Sequence, residues 1–165
     1  MAIRLFTTGG TIDDLEYDGE QDAPEYQKSL IPKLVKDANL TIDVVIEAVC
    51  FKDSKFINDQ DRQLLLKKIS SCAEKQILIT HGTMTMVETA TFLAEAKVDK
   101  AILLFGAMIP ANKPNTDAHF NLGFALSSIQ HLSVDVYIAM HGCIFNWKNI
   151  KKNHDLDRFE VLNNK

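Results

Sequence analysis

Several features are scarce or missing from these 165 residues, and each absence closes off a class of protein. No apolar run approaches the ~20 residues that a bilayer-spanning helix needs, so no membrane association is expected. The opening Met1-Ala2-Ile3-Arg4-Leu5-Phe6 lacks the length and the small-residue cleavage site of a signal peptide. Cysteine occurs three times (Cys50, Cys72 and Cys143), an odd number without C-x-x-C spacing. Reduced thiols in a cytoplasmic chain are therefore expected, not a disulfide scaffold or a zinc site. His119, His131, His141 and His154 show no H-x-x-x-H or related ligand spacing, so no metal is expected. Basic residues are outnumbered 18 to 22, for a net charge of -4, which leaves nucleic acid no electrostatic footprint. Neither G-x-x-x-x-G-K-[ST] nor G-x-G-x-x-G is present, and no cofactor is expected.

What remains is average in the informative sense. With 46% hydrophobic and 24% charged residues, the composition is that of one globular domain with a core able to stand alone. Five β-branched-rich apolar runs, at residues 3–6, 42–49, 77–79, 101–105 and 134–139, read as strands. They are continuous rather than alternating, which suits a parallel sheet covered on both faces. Helical patterns lie between them. Asn58 is placed to cap one carrying Leu64, Leu65 and Ile69 on one stripe. Thr85 and Glu88 read as a capping box for a helix running to about residue 96. Thr116-Asp117 opens another with Phe120, Phe124 and Ile129 at helical spacing. Residues 25–38 read as helical too, interrupted by Pro32. The acidic stretch 13–25, with Gly19 and Pro24, reads as a mobile loop. Strand–helix alternation predicts an α/β fold: a doubly wound, mainly parallel sheet with helices on both faces, flavodoxin- or Rossmann-like in three layers. Such sheets bind ligands at the carboxyl ends of their strands.

Small and polar residues cluster at those ends. Thr7-Thr8-Gly9-Gly10-Thr11-Ile12 offers two glycines for close backbone approach and several hydroxyls. That composition suits a small polar ligand or a threonine nucleophile beside an oxyanion site, and equally a plain tight turn. Thr80-His81-Gly82-Thr83-Met84-Thr85-Met86 puts polar groups at a helix N-terminus, where N–H groups favour anions. His81 is either a base there or a hydrogen-bonded structural residue. Met84 and Met86 read as packing residues, and Lys151-Lys152 beside His154 as a solvated basic face.

Together these clusters resemble the N-terminal domain of the bacterial-type L-asparaginase family, and in particular its short single-domain members, over nearly the whole length. The resemblance rests on Thr8-Gly9-Gly10-Thr11-Ile12, Lys52-Asp53-Ser54, Thr80-His81-Gly82-Thr83 with Thr85-Met86-Val87-Glu88-Thr89-Ala90, and Gly106-Ala107-Met108 with Asp117 and Phe120-Asn121-Leu122. Tyr137-Ile138-Ala139-Met140 and the stretch from Lys152-Asn153 to Arg158-Phe159 match as well. It implies a single asparaginase N-terminal-like domain over residues 1–165 and a homo-oligomer. It further implies that Thr11 is the nucleophile forming an acyl-enzyme. Tyr17, or Tyr26 because the loop length is ambiguous, would activate it. Thr83 would be the second catalytic threonine, supported by Lys152. Gly10, Asp53, Ser54, Lys55, Gly82 and Met84 would line the substrate, with Ser54 gripping its carboxylate. A threonine hydroxyl needs a neighbour to accept its proton, and a phenol or an amine does so.

Three departures from the family pattern bear on activity. Met84 stands where an aspartate normally receives the substrate ammonium. Lys55 replaces a small polar residue, and no C-terminal domain follows in this sequence. The expected function is an amidohydrolase acting on asparagine or a related carboxylate-bearing amide, weakened by Met84. The alternative is a non-catalytic asparaginase-like domain that binds or senses a small carboxylate. Met84 and Lys55 together also suggest a pocket shifted toward positive charge, favouring anionic amides such as succinamate over asparagine. A nucleotide-binding domain of flavodoxin type has no phosphate or ribose motif to support it.

Overall fold

The structure is a computed structural model that describes residues 2–25 and 28–162. Tyr26 lies outside the described residues. Six strands form one sheet in the order β2-β1-β3-β4-β5-β6. They are β1 (Ala2–Gly9), β2 (Asp43–Lys52), β3 (Gln76–Thr80), β4 (Ala101–Phe105), β5 (Asp135–Met140) and β6 (Cys143–Asn146). All neighbours run parallel except β5 and β6. Helices α1 (Ile31–Asp37) and α4 (Ala118–Ile129) supply buried residues to one face, while α2 (Asp59–Ser71) and α3 (Met86–Glu95) supply the other.

The pleat explains why the strands read as continuous apolar runs. Ile3, Leu5, Leu78, Leu103 and Phe105 point into one layer with Leu34, Leu122 and Leu126. Phe6, Ile77, Ile79, Ile102 and Leu104 point into the other with Leu65, Ile69, Ala90 and Leu93. Alternate side chains meet different helices, yet both destinations are apolar. The doubly wound α/β class expected from the sequence is what forms.

Several local expectations are corrected. Among the described residues of the segment expected to be helical from 25 to 38, the α-helix is the short α1, with Pro32 in its first turn, where its missing N–H costs nothing. On α2, Leu64 is exposed and the stripe is completed instead by Arg62 with Leu65 and Ile69. On α4, Phe120 faces outward and stacks on Phe124, with ring centroids 6.0 Å apart. The final strand of the sheet, β6, goes beyond the five apolar runs. His141 and Gly142, at φ 56 and 74, make the two-residue turn that pairs Met140 with Cys143. Positive φ at both central positions marks a type I′ hairpin. A second hairpin, β7 (Lys151–Asn153) with β8 (Arg158–Glu160), lies where the composition suggests only a basic face. Its strand residue Phe159 is buried in the layer beneath α3.

Candidate active site

The ends of β1, β2 and β3 are fused by glycines. Gly10, at φ 84, is set against Gly82 so closely that a Cβ on it would lie 2.5 Å from the Gly82 nitrogen. A Cβ on Gly82 would in turn lie 2.5 Å from Ser54 Oγ. No side chain fits at either position, so the two Thr-Gly signatures are packed backbone to backbone. Hydroxyls secure the junction: Thr8 Oγ1 donates to Thr80 O at 2.8 Å, and Thr85 Oγ1 donates to Ser54 O at 2.8 Å. Thr85 therefore spends its hydroxyl on the loop after β2 and makes no side-chain cap of α3. Asp53 caps the short 3-10 turn Ser54–Phe56 by accepting from Lys55 N at 3.0 Å.

Above this junction opens a cleft of about 270 Å³ lined by Thr11, Glu16, Asp53, Ser54, Lys55, Thr83 and Met84. Gly10 and Gly82, which the resemblance puts in the lining, are not part of it; Gly82 packs against Ser54, which is. Lys152 enters from β7 and donates to Thr83 Oγ1 at 2.9 Å, across 69 residues of sequence. Tyr17 stands apart from the lining. Its ring stacks on Phe56 at 5.0 Å, and its hydroxyl accepts the Asp53 N–H at 3.2 Å. No group among the described residues hydrogen-bonds to the Thr11 hydroxyl. Glu16 escapes sequence reasoning: it sits in an acidic loop with no motif to single it out.

The expected shift toward positive charge is not what the cleft presents. Lys55 Nζ lies 3.3 Å from Asp53 Oδ2 and 3.9 Å from Asp18 Oδ1. Lys152 Nζ lies 3.0 Å from Asp157 Oδ1. Both cations already have carboxylate partners, and Glu16 adds a negative charge to the rim. Met84 is 47% exposed and turns its sulfur to within 3.7 Å of Lys152 Nζ.

His81 takes the structural alternative. The Gly82 carbonyl can only accept, so Nδ1 is the protonated nitrogen and donates to it at 2.8 Å. In the neutral ring Nε2 then accepts from Thr89 Oγ1 at 2.9 Å, while Thr89 Oγ1 itself accepts from Arg62 Nε at 3.1 Å. Burial pulls the imidazole pKa down to about 4, with the Arg62 charge adding to the effect and the Gly82 hydrogen bond opposing it. A neutral, fully engaged imidazole orients the Gly82 peptide and leaves no free nitrogen for a substrate. Asp117 does comparable work at the end of β4, accepting from Met108 N at 3.0 Å, Ile109 N at 2.9 Å and Asn121 Nδ2 at 2.8 Å.

Fold and site define a doubly wound α/β domain with a small, hydroxyl-lined cleft at the carboxyl edge of its sheet, where β1 and β3 lead off in opposite directions. Among known families, the one described as asparaginase, N-terminal, matches residues 2–164, and the chain belongs to it. It is similar to L-asparaginase 2 of Escherichia coli (strain K12), at 30% identity over 168 residues covering 94% of this chain and 47% of that protein. It is also similar to the glutaminase-asparaginase of Acinetobacter glutaminasificans, at 27% identity covering 90% of this chain and 48% of that protein. The thermostable L-asparaginase from Thermococcus kodakarensis superposes with a TM-score of 0.84 at 25% identity, covering 100% of this chain and 52% of that one. The chain thus spans about half the length of these relatives.

Proposed function

We propose that the cleft is the acyl-transfer site of an amidohydrolase whose substrate is a small carboxylate-bearing amide, asparagine or a near relative. Thr11 Oγ1 attacks the amide carbonyl carbon. The C–N bond breaks, ammonia leaves with the proton given up by the hydroxyl, and an ester to Thr11 remains. Water then cleaves that ester and restores the hydroxyl. Ser54 and the N–H groups around Gly10 and Gly82 receive the carboxylate and the developing oxyanion. Tyr17 would serve as the proton acceptor after the 13–25 loop closes on substrate, which needs its hydroxyl to leave the Asp53 N–H. The chain would work in the cytoplasm as a homo-oligomer. The observation that carries the reading is the contact between Lys152 and Thr83: a lysine 69 residues away in sequence meets a cleft hydroxyl at 2.9 Å.

Thr11→Ala tests it. Ammonia release from asparagine is expected to fall by roughly a thousandfold or more, while circular dichroism and the unfolding midpoint stay near those of the natural protein. Natural rates in the variant would remove Thr11 from the mechanism. One observation favours a second reading, a binding or sensor domain: the Tyr17 phenol is held by Asp53, and no acceptor among the described residues is hydrogen-bonded to Thr11. Calorimetric binding of asparagine without ammonia release would select that reading. Since both lysines are paired, succinamate is not expected to bind more tightly than asparagine.

A further inference from the structure

Lys152 carries its charge into a nearly dry place. Its side chain is 6% exposed. Its partner across the hairpin, Phe159, is buried in the layer beneath α3. Taking an ammonium out of water is costly unless a counter-charge and hydrogen-bond acceptors meet it. From the segment between β3 and α3 the groups that face it are Thr83 Oγ1 at 2.9 Å and Met84 Sδ at 3.7 Å, neither of which carries charge. Among the described residues, Asp157 is the one carboxylate within 4.0 Å of Nζ, at 3.0 Å. It belongs to the turn of the same hairpin. Asn153 Oδ1 shapes that turn by accepting from Asp155 N and Leu156 N, each at 3.1 Å. Asp157 itself is left-handed, at φ 44, a conformation that aspartate tolerates better than most residues.

We propose that Asp157 is the positioning residue of the cleft. It holds the Lys152 ammonium on Thr83, so that the Thr83 oxygen is occupied as an acceptor and its own proton turns into the cleft. Thr83 is then a hydrogen-bond donor to an anionic group of the ligand or of the reacting amide, not a nucleophile. Lys152, with protons committed to Asp157 and Thr83, is not a base. The proposal deepens the amidohydrolase reading and rests on it for its kinetic test.

Asp157→Asn keeps the shape and removes the charge. With asparagine as substrate, kcat/KM is expected to fall by roughly tenfold or more, the worth of a charge-assisted contact. Asp157→Glu is expected to recover most of that loss. Met84→Asp, placed in the Asp157→Asn chain, is also expected to recover it, because side chain 84 already reaches Lys152. A contact that merely stabilised the hairpin would not be replaced from the segment between β3 and α3. A second measurement needs no turnover. In protein labelled with 15N-lysine, with the Lys152 ammonium signal assigned by its loss in Lys152→Arg, exchange of the Lys152 Nζ protons with water at constant pH is expected to be at least about tenfold faster in Asp157→Asn than in the natural protein. A natural protein inert toward asparagine would sink the hydrolase reading and leave this exchange rate to decide the pairing. Natural kcat/KM in a folded Asp157→Asn protein, or an unchanged Lys152 exchange rate, would overturn the proposal.

Discussion

At Gly82 three chain segments come into contact: the Gly10 turn after β1, Ser54 after β2, and the residues leading from β3 into α3. The space allowed to a side chain there is less than a methyl group. Gly82→Ala would displace Ser54 Oγ, which would otherwise lie 2.5 Å away, and with it one wall of the cleft. We expect a stability loss of about 1–3 kcal/mol, as for other overpacked sites. Ligand affinity should fall disproportionately, because the displaced atom is a lining hydroxyl. Urea unfolding and calorimetry on the same variant check this, and unchanged affinity would mean that Ser54 does not contact the ligand. His81 is the counterpart on the other side of the peptide, since its Nδ1–H fixes the carbonyl of Gly82. The residues that shape the cleft are thus mostly not the ones that would do its chemistry.

Helix ends show how tertiary contacts redirect local signals. At α2 the local rule holds: Asn58 Oδ1 accepts from Gln60 N and Asp61 N, and Asp61 accepts from Asn58 N in return. Asn58→Ala is expected to cost about 1 kcal/mol in urea unfolding, with cleft binding unaffected because the cap is exposed and is not part of the lining. A larger loss would mean that the α2 start also supports the loop after β2. At α3 the same sequence signal, Thr85 with Glu88, does not close into a box. Thr85 gives its proton to Ser54 O, and Glu88 pairs with Arg62 Nη2 at 3.3 Å. Both capping groups are taken by partners from other elements, and the Thr85 bond holds Ser54, a lining residue. The β5–β6 hairpin is the reverse case. Its His-Gly turn is a local signal present in the sequence, but a preceding parallel-type strand gives no hint that the chain turns back.

For the whole molecule, the buried imidazole of His81 ties stability to pH. Its pKa in the folded protein, about 4, lies below the ordinary histidine value of 6.5, so the unfolded chain binds the proton more readily. Stability from this source is complete above pH 6.5 and is lost as pH falls toward 4. The loss approaches about 3 kcal/mol at the acid end of that window, an order-of-magnitude figure. Urea midpoints measured from pH 7 to pH 4 should show this decline, and the slope should be shallower in His81→Gln. Equal slopes in the two proteins would remove His81 as the cause. Because the ring fastens the Gly82 peptide, the cleft is expected to loosen in the same pH window. The molecule therefore couples the integrity of its site to the charge state of a residue that faces no ligand.

The five parallel strands, the helices α2, α3 and α4 between them and the two covering layers follow from the sequence by itself, because continuous β-branched runs alternating with helical patterns admit few other arrangements; β6 and the β7–β8 hairpin do not. Thr11, Thr83 and Met84 come from the strand-end clusters, and Asp53, Ser54 and Lys55, singled out by the family resemblance alone, join them around one opening. The charge of that opening was decided by the tertiary structure alone. Asp53 answers Lys55, Asp157 answers Lys152, and Arg62 is drawn inward beside Thr89 while Leu64 and Phe120 are left outside. Apolar periodicity is a local property that survives in any fold of its class. Which carboxylate meets which cation depends instead on the backbone of short turns, here residues 53–55 and 152–157, while Arg62 and Thr89 are brought together from two different helices; the apolar pattern records neither.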